Sequence, residues 1–255
     1  MAAFACFLKF VLHFKNPFLW TAQELLFEVQ KGFPHKDFPD QVLFGDTHVH
    51  TSLSPDAGLV GTTLGVDKAY RFASGEEVSS NTGQPVKLLR PLDFMVITDH
   101  AEYMGLAPMI RESSPVLLAD EYGRWLYEKF RAGPERKNEA FKSIVADATS
   151  GKNGLARSDM APTIWRQFVE TADRHDNPGN FSAFIGFEWS SMPGGKNIHH
   201  VVVFRDGAEK ASRVLPYSTF DSDDVEDLWT YLEGYEEKTG GSILAIPHNV
   251  YMAKC

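Results

Sequence analysis

Cysteine is nearly absent. The 255 residues contain two, Cys6 and Cys255, at opposite extremes and without metal-binding or redox spacing. No disulfide framework follows from them, and the pattern fits a reducing compartment such as the cytoplasm. Basic charge is short as well: 25 Lys plus Arg stand against 34 Asp plus Glu, a formal net charge of -9. That balance argues against a broad nucleic-acid surface and gives no reason to expect anionic membranes as partner. Internal repeats, low-complexity blocks, aromatic ladders and phosphate-cradling glycine loops are missing, so nothing specifies a ligand larger than a small ester group. No apolar run is long enough to span a bilayer.

What is present suffices for a sizeable core. With 43% hydrophobic side chains, a chain of this length reads as one α/β domain over residues 41–255, preceded by an N-terminal extension over 1–40. The first twenty residues are rich in Phe, Leu and Val, carry Lys9 and Lys15 and have no acid before Glu24, a composition resembling a targeting segment. The stretch is interrupted at Lys9 and lacks a clear small-residue cleavage site. Phe4, Phe7, Leu8, Val11 and Leu12 fit equally one apolar face of a short helix packed on the domain or lying at a membrane interface.

Strand-like runs fall at 41–49, 92–98, 182–187, 198–204 and 242–246. Helical stretches fall between them, at 66–73, 116–131, 135–149, 160–173 and 224–238, with Gly133-Pro134 separating the second from the third. Segments 74–91 and 149–158 read as loops beside the site. Alternation of strand and crossover helix predicts a parallel sheet, whose ligands gather beyond the carboxyl ends of its strands.

Histidine follows that rule. Residues two apart on an extended chain share a side, so His48 and His50 face one spot after Val42-Leu43-Phe44. The apolar run Leu92 to Ile97 delivers Asp99 and His100 at its end. Glu188 follows Phe184-Ile185-Gly186-Phe187, His199 precedes Val201-Val202-Val203-Phe204, and His248 follows Ile243 to Pro247. Five imidazoles and a carboxylate at strand edges predict a mixed nitrogen and oxygen metal site, the donor chemistry suited to Zn, Mn or Fe. A lone strand-end histidine is usually a satisfied hydrogen-bonding group; it is the conjunction that favours metal. His199 and His200 are adjacent and point oppositely, so one of them faces the site. His13, His35 and His175 read as surface residues.

These motifs, His48-Val49-His50, Thr98-Asp99-His100, Glu188, His199 and His248, resemble the successive metal motifs of the polymerase and histidinol phosphatase (PHP) superfamily. More narrowly, residues 45–65, 70–84, 99–108 and 184–206 are similar to the DUF3604 family. The resemblance implies a distorted (β/α)7 barrel of parallel TIM type, with two or three divalent ions (Mn, Zn or Fe) at its carboxyl face. It also implies hydrolysis of a small phosphorylated or ester substrate. On the family pattern His48, His50, His100, Glu188, His199 and His248 match ligand positions, Glu188 as the carboxylate bridging ions. Asp56 matches an early polar position, as a ligand or a partner of one. Asp46 and Asp99 are placed to fix an imidazole tautomer, Glu102 to contact substrate, and His200 to hold an anionic substrate group.

The chain departs from that pattern in lacking a late Asp-x-His motif, and its match fades after Asn249. It therefore resembles a barrel incomplete at its C-terminus. Two alternatives to a metal-dependent phosphoesterase are an amidohydrolase-like barrel cleaving an ester or amide, and a non-catalytic fragment with residual metal binding. The first commonly uses a carboxylated lysine on a middle strand, and no strand here offers a convincing one.

Overall fold

Short apolar strands flanked by amphipathic helices organise the chain, as seen in a computed structural model that describes residues 42–155, 160–193 and 196–248. The 1–40 extension, with His13 and His35, lies outside the described residues, as does everything after His248. Five strands, β1 (Gly45–Val49), β4 (Phe94–Ile97), β5 (Ser182–Ser191), β6 (Ile198–Phe204) and β7 (Ile243–His248), form one sheet in that spatial order. Strands β1, β4 and β5 are parallel, while β6 runs antiparallel to both β5 and β7. The all-parallel expectation is corrected at β6. Strand β5 continues through the polar-edged Glu188-Trp189-Ser190-Ser191, leaving only residues 192–197 before β6. Six residues allow a hairpin and not a crossover, which needs a dozen or more. The architecture is a mixed α/β fold around a curled half-barrel sheet.

The curl follows from one contact. Five flat strands would hold β1 and β7 about 19 Å apart, yet the His48 and His248 rings at the ends of those edge strands have centroids 4.0 Å apart. Gly186, midway along β5, is where the neighbouring strands come close: a Cβ there would meet Val96 Cγ1 at 2.6 Å and the Val202 carbonyl at 2.8 Å. Only glycine lets the neighbouring strands close so tightly.

Alternation divides the sheet into two unlike faces. On the convex side Met95, Ile97, Ile185, Phe187, Trp189, Val202 and Phe204 are buried in the main core. They pack there with Tyr70 and Ala73 of α2 (Val66–Ala73), Trp165, Phe168 and Val169 of α7 (Met160–His175), and Leu228 and Tyr235 of α9 (Val225–Thr239). On the concave side Val96, Phe184, Val201 and Val203 form a small separate cluster. There Phe94, Phe184, Leu244 and Ile246 line an open apolar trough of about 350 Å³.

Between β4 and β5 a helical insertion comprises α3 (Leu106–Arg111), α4 (Pro115–Ala119), α5 (Glu121–Arg131) and α6 (Pro134–Ser150), and it builds its own core around Leu106, Leu117, Leu126 and Ile144. The single helix expected at 116–131 breaks at Asp120. That residue is extended, and its side chain accepts from the Gly123 N–H, capping α5. Helix α6 starts on Pro134 after Gly133 and ends at left-handed Gly151. Two more short helices among the described residues are α1 (Pro55–Gly58) and α8 (Ala208–Ala211). The loop expected at 74–91 contains a two-stranded ribbon, β2 (Val78–Ser79) with β3 (Pro85–Val86). No helix among the described residues is long and apolar enough to cross a membrane.

Candidate metal centre

The concave face ends in a ring of imidazoles around one carboxylate. Glu188 is 1% exposed, and its two oxygens face different partners. Oε1 lies 2.6 Å from His199 Nδ1 and 3.1 Å from His248 Nε2. Oε2 lies 2.8 Å from His50 Nε2, 3.3 Å from His48 Nε2 and 3.6 Å from His100 Nδ1. Four strands or strand ends deliver these rings, from the carboxyl ends of β1, β4 and β7 and the amino end of antiparallel β6. The ladder register shifts between Asp46 and Val49. That irregularity sends Val49 against the helix-side core while His48 and His50 meet with their Nε2 atoms 2.9 Å apart.

Asp56, at the start of α1, completes the ring. Its Oδ1 lies 2.9 Å from His50 Nδ1, and its Oδ2 stands 3.6 Å from His100 Nε2. Three overlapping groups result: His48 with Glu188 and His248, His50 with Asp56 and His100, and His100 with Glu188 and His199. Donors on one ion with bonds of about 2.1 Å stand roughly 3 to 3.5 Å apart, and most separations here fall near that range. Neutral imidazoles with paired carboxylates are the donor set of borderline divalent ions. These residues fit a metal centre.

The electrostatics are those of tightly paired imidazoles and carboxylates. Burial opposes ionisation of Glu188, but the His199 and His50 bonds outweigh it and hold the carboxyl well below its usual range. Asp56 is likewise depressed against its burial by His100 and His50. Burial works against a charge on His50 too, yet Asp56 and Glu188 raise that ring to about 10. Protons and divalent cations compete for the same electron pairs, so such a ring of donors favours cations of either kind.

The other sequence candidates sit elsewhere. Asp99 is fully buried and accepts from both the backbone N–H and the hydroxyl of Thr51, Oδ2 at 2.7 Å from the latter, so it fixes the turn after His50. Burial pushes its carboxyl up to about 6. Asp46 accepts from the His48 backbone N–H at 3.0 Å and holds no imidazole. Glu102 is 4% exposed behind His100, where it accepts from Thr219 N and Ser190 N. Burial raises its pKa.

His200 points to the opposite face of β6. It is buried, with its ring 5.3 Å from Trp229 and 5.7 Å from Trp189, and its Nδ1 has no partner. The structure therefore does not bring His200 to the cluster. His175 closes α7, bonded to Asp67 at 2.9 Å and stacked on Tyr70.

Three hydroxyl residues escaped sequence reasoning. Thr51 is bound by Asp99 as above. Ser54 Oγ lies 3.0 Å from His50 Nδ1 and also bonds Asp56. Ser190 Oγ lies 2.6 Å from His100 Nδ1. The signal for Ser190 was available, because it stands two residues after Glu188 on the same strand and so shares its face.

A mixed α/β fold whose curled sheet gathers five histidines and two carboxylates at one end defines a candidate metalloprotein. The chain belongs to the DUF3604 family, described as a protein of unknown function, whose family pattern matches residues 37–255. No curated protein and no solved structure matches it.

Proposed function

We propose that this chain is a metal-dependent hydrolase of a small phosphate ester, built on a PHP-like centre of two or three divalent ions. One observation carries the reading: both oxygens of buried Glu188 face imidazoles, on two different sides. A carboxylate so placed suits a bridge between neighbouring ions. His48, His50, His100, His199, His248 and Asp56 are the side chains that would hold those ions, and their nitrogen-rich set favours Zn, Mn or Fe over Mg or Ca. Such ions, when bound, supply Lewis acidity toward a phosphoryl group and acidify water to near neutral pH.

The chain's own residues organise the rest. Asp99 locks Thr51, and Ser54 locks Asp56, so the turn carrying His50 is rigid before any ligand arrives. Asp56, His48 and His248 are the most open members of the ring, 49%, 39% and 29% exposed at the side chain. Substrate would approach over these exposed members of the ring.

The test is turnover of an aryl phosphate by protein loaded with Zn or Mn, beside His48→Ala and Glu188→Ala. Loss of turnover in both variants is expected. Equal rates in all three proteins would sink the proposal, and preferential cleavage in a panel of esters and amides would move it to an amidohydrolase-like reaction.

A further inference from the structure

His100 stands where two of the ligand groups overlap. Its Nε2 faces Asp56 and its Nδ1 faces Glu188 and His199. A neutral imidazole has one lone pair and one N–H, so it serves only one of them. We infer that Glu102 and Ser190 make that choice: they hold His100 as the Nδ1–H tautomer and direct Nε2 to the ion shared with Asp56. Glu102 is thus a positioning residue of the metal centre, an assignment that rests on the metal reading above.

The geometry around Nδ1 is one-sided. Ser190 Oγ lies 2.6 Å from it, placed to accept the hydrogen bond of an Nδ1–H. A proton on Nε2 would face Asp56 Oδ2 at 3.6 Å, too far for a hydrogen bond, so the alternative tautomer wastes its donor. Glu102 adds charge to the same side. Its Oε1 is pinned by the Thr219 N–H at 2.8 Å and the Ser190 N–H at 3.3 Å. Its Oε2 is buried without a partner, 3.8 Å from His100 Nδ1.

A lone pair at Nδ1 would confront the Glu102 and Glu188 carboxylates together, whereas an N–H there is attracted to both. The arrangement is a carboxylate behind a ligating imidazole, with a serine hydroxyl as the contact atom. Glu102 also holds the backbone of Ser190, so one side chain places both the charge and the acceptor.

The experiment uses the full chain, uniformly 15N-labelled, with long-range nitrogen–proton NMR of its histidines and a zinc titration. Wild type is expected to show His100 protonated at Nδ1 without metal and ligated through Nε2 with zinc. Glu102→Gln keeps an acceptor for the two N–H groups but turns an amide donor toward Nδ1. It should shift the metal-free ring toward Nε2–H and weaken one zinc by about tenfold or more, with the melt still cooperative. A purely structural role would leave the tautomer alone.

Should Glu102→Gln fail to fold, Ser190→Ala removes only the acceptor and carries the same expectation. An Nε2-protonated ring in wild type overturns the inference. So does normal zinc uptake with an unchanged Glu102→Gln isotherm, which leaves the hydrolase reading intact. Wild type that takes up no zinc overturns both.

Discussion

His199 and His200 are chain neighbours with opposite surroundings. His199 meets a carboxylate at 2.6 Å in the ring on the concave face. His200 is packed between tryptophans on the convex face, with an unpartnered nitrogen, and its pKa is pulled down to about 4 by burial and then by the nearby His248 and His199 rings. The same side chain is a ligand candidate on one face and core filling on the other. Residue type therefore says little without the face it occupies, and β6 decides the face by alternation alone.

The largest effect should separate the pair by metal content. Glu188→Ala, which leaves the imidazoles without their common carboxylate, is expected to lower retained zinc more than about a hundredfold, beyond the usual cost of an outer-shell change. His199→Ala should lose at least one ion, and His200→Ala none. Elemental analysis after gel filtration measures all three. Equal loss from His199→Ala and His200→Ala would erase the distinction.

Stability should divide the other way. Phe187, fully buried on the convex side of β5, is expected to cost about 3–5 kcal/mol when cut to Ala. His200→Ala should cost about 2 kcal/mol or more through its cavity, while His200→Leu stays within about 1 kcal/mol of wild type because it also removes an orphaned polar atom. Urea unfolding of metal-free protein reads these values. A loss in His200→Leu as large as that in His200→Ala would overturn the reading of His200 as core filling with an orphaned polar atom.

The pH dependence sharpens the same contrast. His200 has a folded pKa of about 4 against 6.5 as a free residue, so between those values the unfolded chain holds more protons than the folded one. Its share of stability is complete above pH 6.5 and is lost as pH falls toward 4, by about 3 kcal/mol at most for such a shift. His200→Leu should flatten the stability curve in that window. Parallel curves for wild type and variant would remove burial as the cause.

The ring of five imidazoles around Glu188 was legible because each of these residues borders a strand-like run, and strand ends are where a sheet presents polar groups. One further clue lay in the sequence. His48, His100, Glu188 and His248 follow their apolar runs, whereas His199 precedes its own. If all reach one end of the sheet, β6 must run backwards, as it does. The family pattern of parallel strands concealed that clue. Glu102 and His200 were harder to place because their roles depend on burial: motif position gives a carboxylate near His100, but not that the Thr219 and Ser190 backbones enclose it. The break at Asp120 and the β2–β3 ribbon turn on caps and two-residue pairings, which leave little periodic signal.

The smallest expected effect belongs to the concave face away from the ring. Leu244 and its neighbour Ala245 differ as His199 and His200 do: Leu244 points into the trough, 52% exposed, while Ala245 packs against the helix-side core. A half-exposed leucine contributes little burial, so Leu244→Ser should change stability by no more than about 0.5 kcal/mol. Ala245→Ser places a hydroxyl against a packed apolar layer and should cost about 1–3 kcal/mol. Leu244→Ser is the larger chemical change, the loss of an isobutyl group against the gain of one hydroxyl, so a larger cost for Ala245→Ser would report the face and not the size of the change. A loss above about 1 kcal/mol for Leu244→Ser, read by urea unfolding, would mean that the trough-facing side chains are packed in solution, and the two faces would then differ in what covers them rather than in whether they are covered.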